Sequence, residues 1–116
     1  MSKPFNPYAR ITEKQFGLQV ESAAKLRGFE YFHAWNSKHS SPGFPDYFMI
    51  HRETYRVIVC ELKSEKGKLT ELQKNWLNLF AAAGFDVYLW RPSDLMEILT
   101  VLDGKTEGIK VHEISV

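Results

Sequence analysis

Along this chain, apolar positions recur first every three to four residues and then every second residue, and the switch points mark its elements. Residues 1–11 carry two prolines and no periodicity, and read as an extended arm. Thr12 suits a helix N-cap, and Phe16, Val20, Ala23 and Ala24 then form one apolar helical face that Gly28 terminates. Phe29 to Trp35 is rich in aromatics and reads as a strand. Residues 36–45, with three serines, two prolines and a glycine, read as a loop. Tyr47 to Ile50 is a second strand and Arg56 to Lys63 a third. The unbroken run Val57-Ile58-Val59-Cys60 predicts burial on both faces, at the centre of a sheet. Glu65 to Leu69 is a charged turn around Gly67. Thr70 caps a second helix with Leu72, Trp76, Leu79, Phe80 and Ala83 on one side, and Gly84 closes it. Phe85 to Trp90 predicts another strand, Ser93-Asp94 opens a short helix to Leu102, and Ile109 to Ile114 reads as a last strand. The order α-β-β-β-α-β-α-β predicts an α/β domain, a mixed sheet flanked by helices.

Composition narrows the class. The chain has 116 residues, which suits one domain spanning 1–116. With 44% hydrophobic and 25% charged residues it is too apolar to be disordered. A single cysteine, Cys60, excludes an internal disulfide framework and fits a reducing, cytoplasmic setting. No apolar run is long enough to span a bilayer, and the first residues lack an apolar signal core. The small size favours dimerisation. Net charge is only +1, so the balance alone neither announces nor excludes a nucleic-acid partner; the distribution of charge decides.

Charged groups occur where packing alone would not ask for them. Asp46 follows Gly43-Phe44-Pro45 at the head of an apolar strand. Glu61-Leu62-Lys63 ends the most buried strand, and alternation puts Glu61 and Lys63 on one face with Leu62 on the other. If these strands pair, Asp46 and Glu61 approach each other. Two adjacent carboxylates repel unless a cation neutralises them. Magnesium accepts one or two carboxylates, keeps several waters and takes phosphate oxygens. A nearby lysine can position or deprotonate a water, or hold developing charge on phosphorus. These parts suit phosphodiester hydrolysis. A third carboxylate could come from the first helix. At about 100° per residue, Glu13 falls within the apolar arc and faces the sheet, whereas Glu21 points to the side, near Lys25 and Leu18. Glu13 is therefore the preferred candidate.

Each candidate also has a plain structural reading. Glu13 suits the helix dipole as a first-turn acid, and Asp46 suits a turn after Pro45. Glu61 and Lys63 could be an exposed strand-end pair. Gln73 could simply cover a helix face. His33 reads as a half-buried structural histidine, and Cys60 as inert core. No zinc-ligand spacing, phosphate-binding glycine loop or nucleophile elbow occurs. Lys38, Lys63, Lys66, Lys68, Lys74 and Arg91 are candidate phosphate contacts or, equally, solvated surface.

These segments resemble the PD-(D/E)xK nuclease superfamily, whose restriction-endonuclease-like core runs αβββαβ. More narrowly, the chain is similar to VRR-NUC domains, found as stand-alone proteins, often of phages and bacteria, and inside larger repair enzymes. The resemblance runs from Thr12 to Leu102 and includes the His33 segment, the Ser40-Ser41 loop, Gln73, Trp76, Gly84 and Trp90-Arg91-Pro92-Ser93-Asp94. It implies Asp46 and Glu61 as metal ligands with the Leu62 carbonyl, Lys63 as catalytic lysine, Glu13 as the first-helix acid and Gln73 near the site. It further implies Mg²⁺- or Mn²⁺-dependent cleavage of branched, flapped or Holliday-junction DNA, with Lys38, Ser41, Lys66, Lys68 and Lys74 toward nucleic acid. A homodimer, a partner helicase or recognition subunit, and the cytoplasm of a bacterium or phage-infected host would fit. The competing expectation is a catalytically silent nucleic-acid- or partner-binding module on the same fold.

Overall fold

Two threonines begin the two long helices. In a computed structural model that describes residues 5–34 and 41–104, Thr12 caps α1 (Glu13–Leu26) and Thr70 caps α2 (Glu71–Ala82). Each accepts from the backbone of a glutamine three residues on, and that glutamine's side chain reaches back to the cap's own N–H, satisfying two otherwise orphaned donors.

The strands are β1 (Phe29–His33), β2 (Tyr47–His51), β3 (Val57–Leu62) and β4 (Asp86–Trp90). They form one sheet in the order β1-β2-β3-β4. The first three make an antiparallel meander, and α2 carries the chain over to β4, parallel to β3. A 3₁₀ turn, Pro92–Asp94, leads into α3 (Leu95–Leu102). The α/β expectation holds, as a mixed four-stranded sheet with three helices. The predicted strand over 109–114 lies outside the described residues, as do Trp35 and Lys38.

α1 and α3 cover one sheet face, burying Phe16, Val20 and Ile98 against Met49, Ile58, Cys60 and Trp90. Cys60 is fully buried and its thiol is pushed up by that burial, so the inert-core reading stands. On the other face α2 lays Leu77 over Val59 and Val87, with Phe48, Phe80 and Leu89 around them. β3 is thus covered on both sides, as its apolar run predicts. The stripe of α2 differs from the expectation. Leu72 and Leu79 are exposed and Leu77 is the buried residue. The helix turns the Gln73, Leu77 and Phe80 edge to the sheet, because Gln73 is held inside by a polar partner described below. At the far end of the sheet, Arg56 ties three elements. Its Nε and Nη2 donate to Asp86 Oδ2 (3.0 and 2.7 Å), Nη2 also to the Tyr88 hydroxyl (3.1 Å), and Nη1 to the carbonyl of Val101 (2.6 Å).

Candidate functional site

The pairing of β2 with β3 sets Tyr47 opposite Cys60, so one step further the chain brings Asp46 opposite Glu61. The loop before Asp46 is pinned from behind. Gly43 adopts φ +82°, and a Cβ there would lie 2.6–2.8 Å from Leu72 and the backbone N of Gln73, so only glycine allows this approach to the start of α2. Phe44 packs edge-on to Trp76 and Phe80, with ring centroids 5.0 and 5.8 Å apart. The Ala34 N–H donates to the Asp46 carbonyl (2.8 Å), and the Leu62 N–H donates to Asp46 Oδ2 (2.8 Å). Asp46 is therefore fixed by β1, β3 and α2 together, and the free-turn reading of this residue fails.

Glu61 is 2% exposed, the one charged residue in the core among those described. It shares the α2-facing side of β3 with Val59, so the exposed-pair reading fails as well. Its Oε2 accepts from Gln73 Nε2 (3.1 Å). The Gln73 amide is oriented for this, because its Oε1 accepts from the Thr70 N–H (2.9 Å) and the amide nitrogen must then point away from the cap. Gln73 is thus no solvated helix cover. Burial first, and the Asp46 charge next, push the Glu61 carboxyl up to about 9. Asp46 is also raised, chiefly by burial, with the Leu62 N–H, Glu61, His33 and Lys63 pulling it back in part.

Lys63 stands just past the end of β3, with its side chain 13% exposed and Nζ 4.0 Å from Glu13 Oε1. Glu13 is half exposed at the rim of the same cavity. Glu21 departs from its expected sideways orientation. It accepts hydrogen bonds from the hydroxyls of Tyr31 (3.0 Å) and Tyr47, which draw it inward across the α1–sheet interface. Its carboxylate is the main cause that raises the Tyr31 phenol above its usual range, whereas the Tyr47 phenol is raised by burial first and by Glu21 next. His33 stacks on Tyr47 at 4.3 Å. One open cavity of about 680 Å³ joins Glu13, Lys14, Glu21, His33, Asp46, Glu61, Lys63 and Gln73.

The donor set suits a hard divalent cation. Glu61 Oε1 is buried without a hydrogen-bond partner, and its raised carboxyl stays protonated at neutral pH until a cation displaces the proton and completes that oxygen. With Asp46 alongside, two carboxyl groups on an open cavity make the all-oxygen, partly hydrated environment that Mg²⁺ or Mn²⁺ accepts. The expected convergence of three acids is not present. Among the described residues no group of three or more His, Cys, Asp or Glu side chains could hold an ion, and Glu13 pairs with Lys63 at 4.0 Å.

The expected nucleic-acid contacts divide. Lys66 and Lys68 are exposed, and Ser41 is exposed on the cavity wall. Lys74 is partly covered and 3.4 Å from Glu71. Lys38 lies outside the described residues. Arg91 is half-buried, with Nη1 donating to the carbonyls of Ser64, Glu65 and Gly67. That leaves its role as a phosphate contact without geometric support. The sequence reading overlooked Tyr31 and Tyr47 as partners of Glu21. Their placement depends on strands meeting α1, and no local signal reveals it.

No described helix is long and apolar enough to cross a membrane. A family model described as the VRR-NUC domain matches residues 3–94. Among curated proteins, the Fanconi-associated nuclease 1 homolog of Caenorhabditis elegans is 41% identical over 51 residues, which is 44% of this chain and 6% of that protein. The chain therefore spans a small fraction of that relative's length. Comparison with solved structures yields no match.

Proposed function

The chain belongs to the VRR-NUC domain family, a nuclease family, and on that footing we propose that it is a metal-dependent DNA endonuclease hydrolysing phosphodiester bonds at the Asp46–Glu61–Lys63 cavity. The observation that carries the reading is the buried, partnerless Oε1 of Glu61 beside Asp46. A metalloenzyme can tolerate such an atom, whereas a purely structural core would tend to eliminate it.

Asp46, Glu61 and the Leu62 carbonyl would hold Mg²⁺ or Mn²⁺, with Glu13 contributing through water. When bound, the ion supplies charge stabilisation at the scissile phosphate and a more acidic water. Gln73 keeps the Glu61 carboxylate oriented through its capped amide. Lys63 Nζ, sheltered and steered by Glu13, positions the attacking water and counters charge growing on the phosphate oxygens. Lys66, Lys68, Lys74, Lys38 and Ser41 would contact the DNA backbone, so binding should weaken with salt. The superfamily label PD-(D/E)xK fits this arrangement of acids and lysine.

Branched, flapped or four-way-junction DNA is the proposed substrate, and a homodimer the proposed assembly. Phe32, Ile50 and Leu79, 64, 43 and 62% exposed, are apolar surface that a second copy could bury. A helicase or recognition subunit as partner, and a bacterial or phage-infected cytoplasm as setting, rest on the family resemblance alone; the matched relative is a nematode protein.

The test is a cleavage panel of single-stranded, duplex, flap and four-way-junction DNA with Mg²⁺ or Mn²⁺, and with chelator. Metal-dependent cutting strongest on branched substrates is expected. Binding to the same panel with no cutting under either metal would favour the silent module instead. Light scattering at a monomer mass would remove the dimer.

A further inference from the structure

Three backbone carbonyls converge on one nitrogen directly behind Lys63. Arg91 Nη1 donates to the carbonyls of Ser64 (2.7 Å), Glu65 (3.3 Å) and Gly67 (2.5 Å). The turn they belong to is closed by the Gly67 N–H on the Ser64 carbonyl (3.1 Å). Arg91 is itself held. Its N–H donates to Asp94 Oδ2 (2.8 Å), and the Ser93 N–H reaches Glu65 Oε1 (3.2 Å). The Lys63 N–H donates to the Trp90 carbonyl (3.0 Å), so the segments 63–67 and 90–94 are stitched together residue by residue.

This turn folds back on the side chain of Lys63. A Cβ at Gly67 would lie 3.4 Å from Lys63 Cδ and 2.9 Å from Ser64 Oγ. The lysine stem therefore runs beside the bare face of Gly67, and at 13% exposure it is held there against the turn while Nζ meets Glu13. Carbonyl dipoles aimed at a common point repel one another without a cation between them. A guanidinium, always charged and rigid, answers that need.

We infer that Arg91 is a positioning residue for Lys63: by clamping the carbonyls of Ser64, Glu65 and Gly67 it fixes the turn that aims the Lys63 amine at the Asp46–Glu61 pair. The inference rests on the nuclease reading of that pair. Arg91 then has no direct part in DNA binding, and the Lys63 stem lies within van der Waals reach of Gly67, so that a branched side chain there, though not a single methyl, would press on it.

The test pairs single-turnover cleavage at saturating DNA with binding measured by fluorescence anisotropy in Ca²⁺, for R91M, R91K and G67V. Misplacement by about 1 Å can cost on the order of 100-fold in rate. The R91M cleavage rate constant should accordingly fall roughly 10- to 100-fold while Kd and its salt dependence stay near parental values. R91K and millimolar guanidinium added to R91M should each restore part of the rate. G67V, with Arg91 intact, should show the same split, and the double variant should be no slower than R91M. Competitive acetylation read by mass spectrometry follows Lys63 without any turnover: its labelling should rise in R91M and G67V while Lys74 labels at the parental rate.

A weaker Kd with a salt slope shallower by about one would make Arg91 a phosphate contact and overturn the proposal. A parental rate in R91M would overturn it, as would a loss that disappears well below the variant's Tm. Unchanged Lys63 labelling in both variants would do so even if the parent protein cuts no DNA. An inactive parent with raised labelling would instead defeat the nuclease reading and leave the clamp standing.

Discussion

Replacing Glu61 by glutamine should make the metal-free protein more stable at neutral pH, although it removes a central residue of the site. Glu61 is 2% exposed, and its carboxyl is pushed from an ordinary value near 4.5 up to about 9 by burial and by Asp46. Between those values the folded chain holds a proton that the unfolded chain releases. Stability from this group is therefore complete below about pH 4.5 and is lost as pH rises toward 9, at up to roughly 1.4 kcal/mol per pH unit. From pH 5.5 to 7.5 the limit is about 2.7 kcal/mol; water entering the open cavity and the linked titration of Asp46 reduce this to about 1–2 kcal/mol. Glutamine has the same shape and no charge. Its oxygen can accept from Gln73 and its amide can donate to Asp46. In chelator, Glu61→Gln should melt roughly 4–10 °C above the parent at pH 7.5, with the gap closing toward pH 5. Scanning calorimetry across that range checks it. A variant less stable than the parent at both pH values, or a gap independent of pH, would refute the burial argument.

Other consequences are simpler to read. Asp46→Asn and Lys63→Ala should each lower cleavage by at least about 100-fold with circular dichroism unchanged; full activity in either purified variant would defeat its assigned role. Gly43→Ala should cost more than about 2 kcal/mol, because φ +82° and contacts of 2.6–2.8 Å leave no room for a methyl; an unchanged urea midpoint would contradict this. Arg56→Met should cost on the order of 2 kcal/mol by stranding Asp86, read as a lower Tm, and a shift under 2 °C would count against the Arg56 network as a tie between β3, β4 and α3.

Much of this was legible because it depends on local chemistry. Thr12 and Thr70 mark helix starts through their own hydroxyls, and the apolar run at 57–60 demands cover on both faces. Strand alternation and hairpin pairing are enough to carry Asp46 to Glu61. Gln73 was half legible: the spacing Thr70-x-x-Gln73 signals a capping box, but its bond to Glu61 requires α2 to sit over β3. Glu21 was misjudged because two tyrosines from different strands reverse its helical-wheel direction. Arg91 was misjudged for a similar reason. An arginine at a strand end usually meets solvent, and here the parallel pairing of β3 with β4 delivers three carbonyls to it instead.

The account turns on Asp46 and Glu61 holding a divalent ion that Lys63 works beside. Calorimetric titration of Mn²⁺, run with DNA cleavage on the same samples, separates these roles. The parent should bind and cut; Asp46→Ala and Glu61→Gln should lose both; Lys63→Ala should bind Mn²⁺ and fail to cut. Undiminished Mn²⁺ affinity in both carboxylate variants, or cutting by Lys63→Ala at the parental rate, would contradict it.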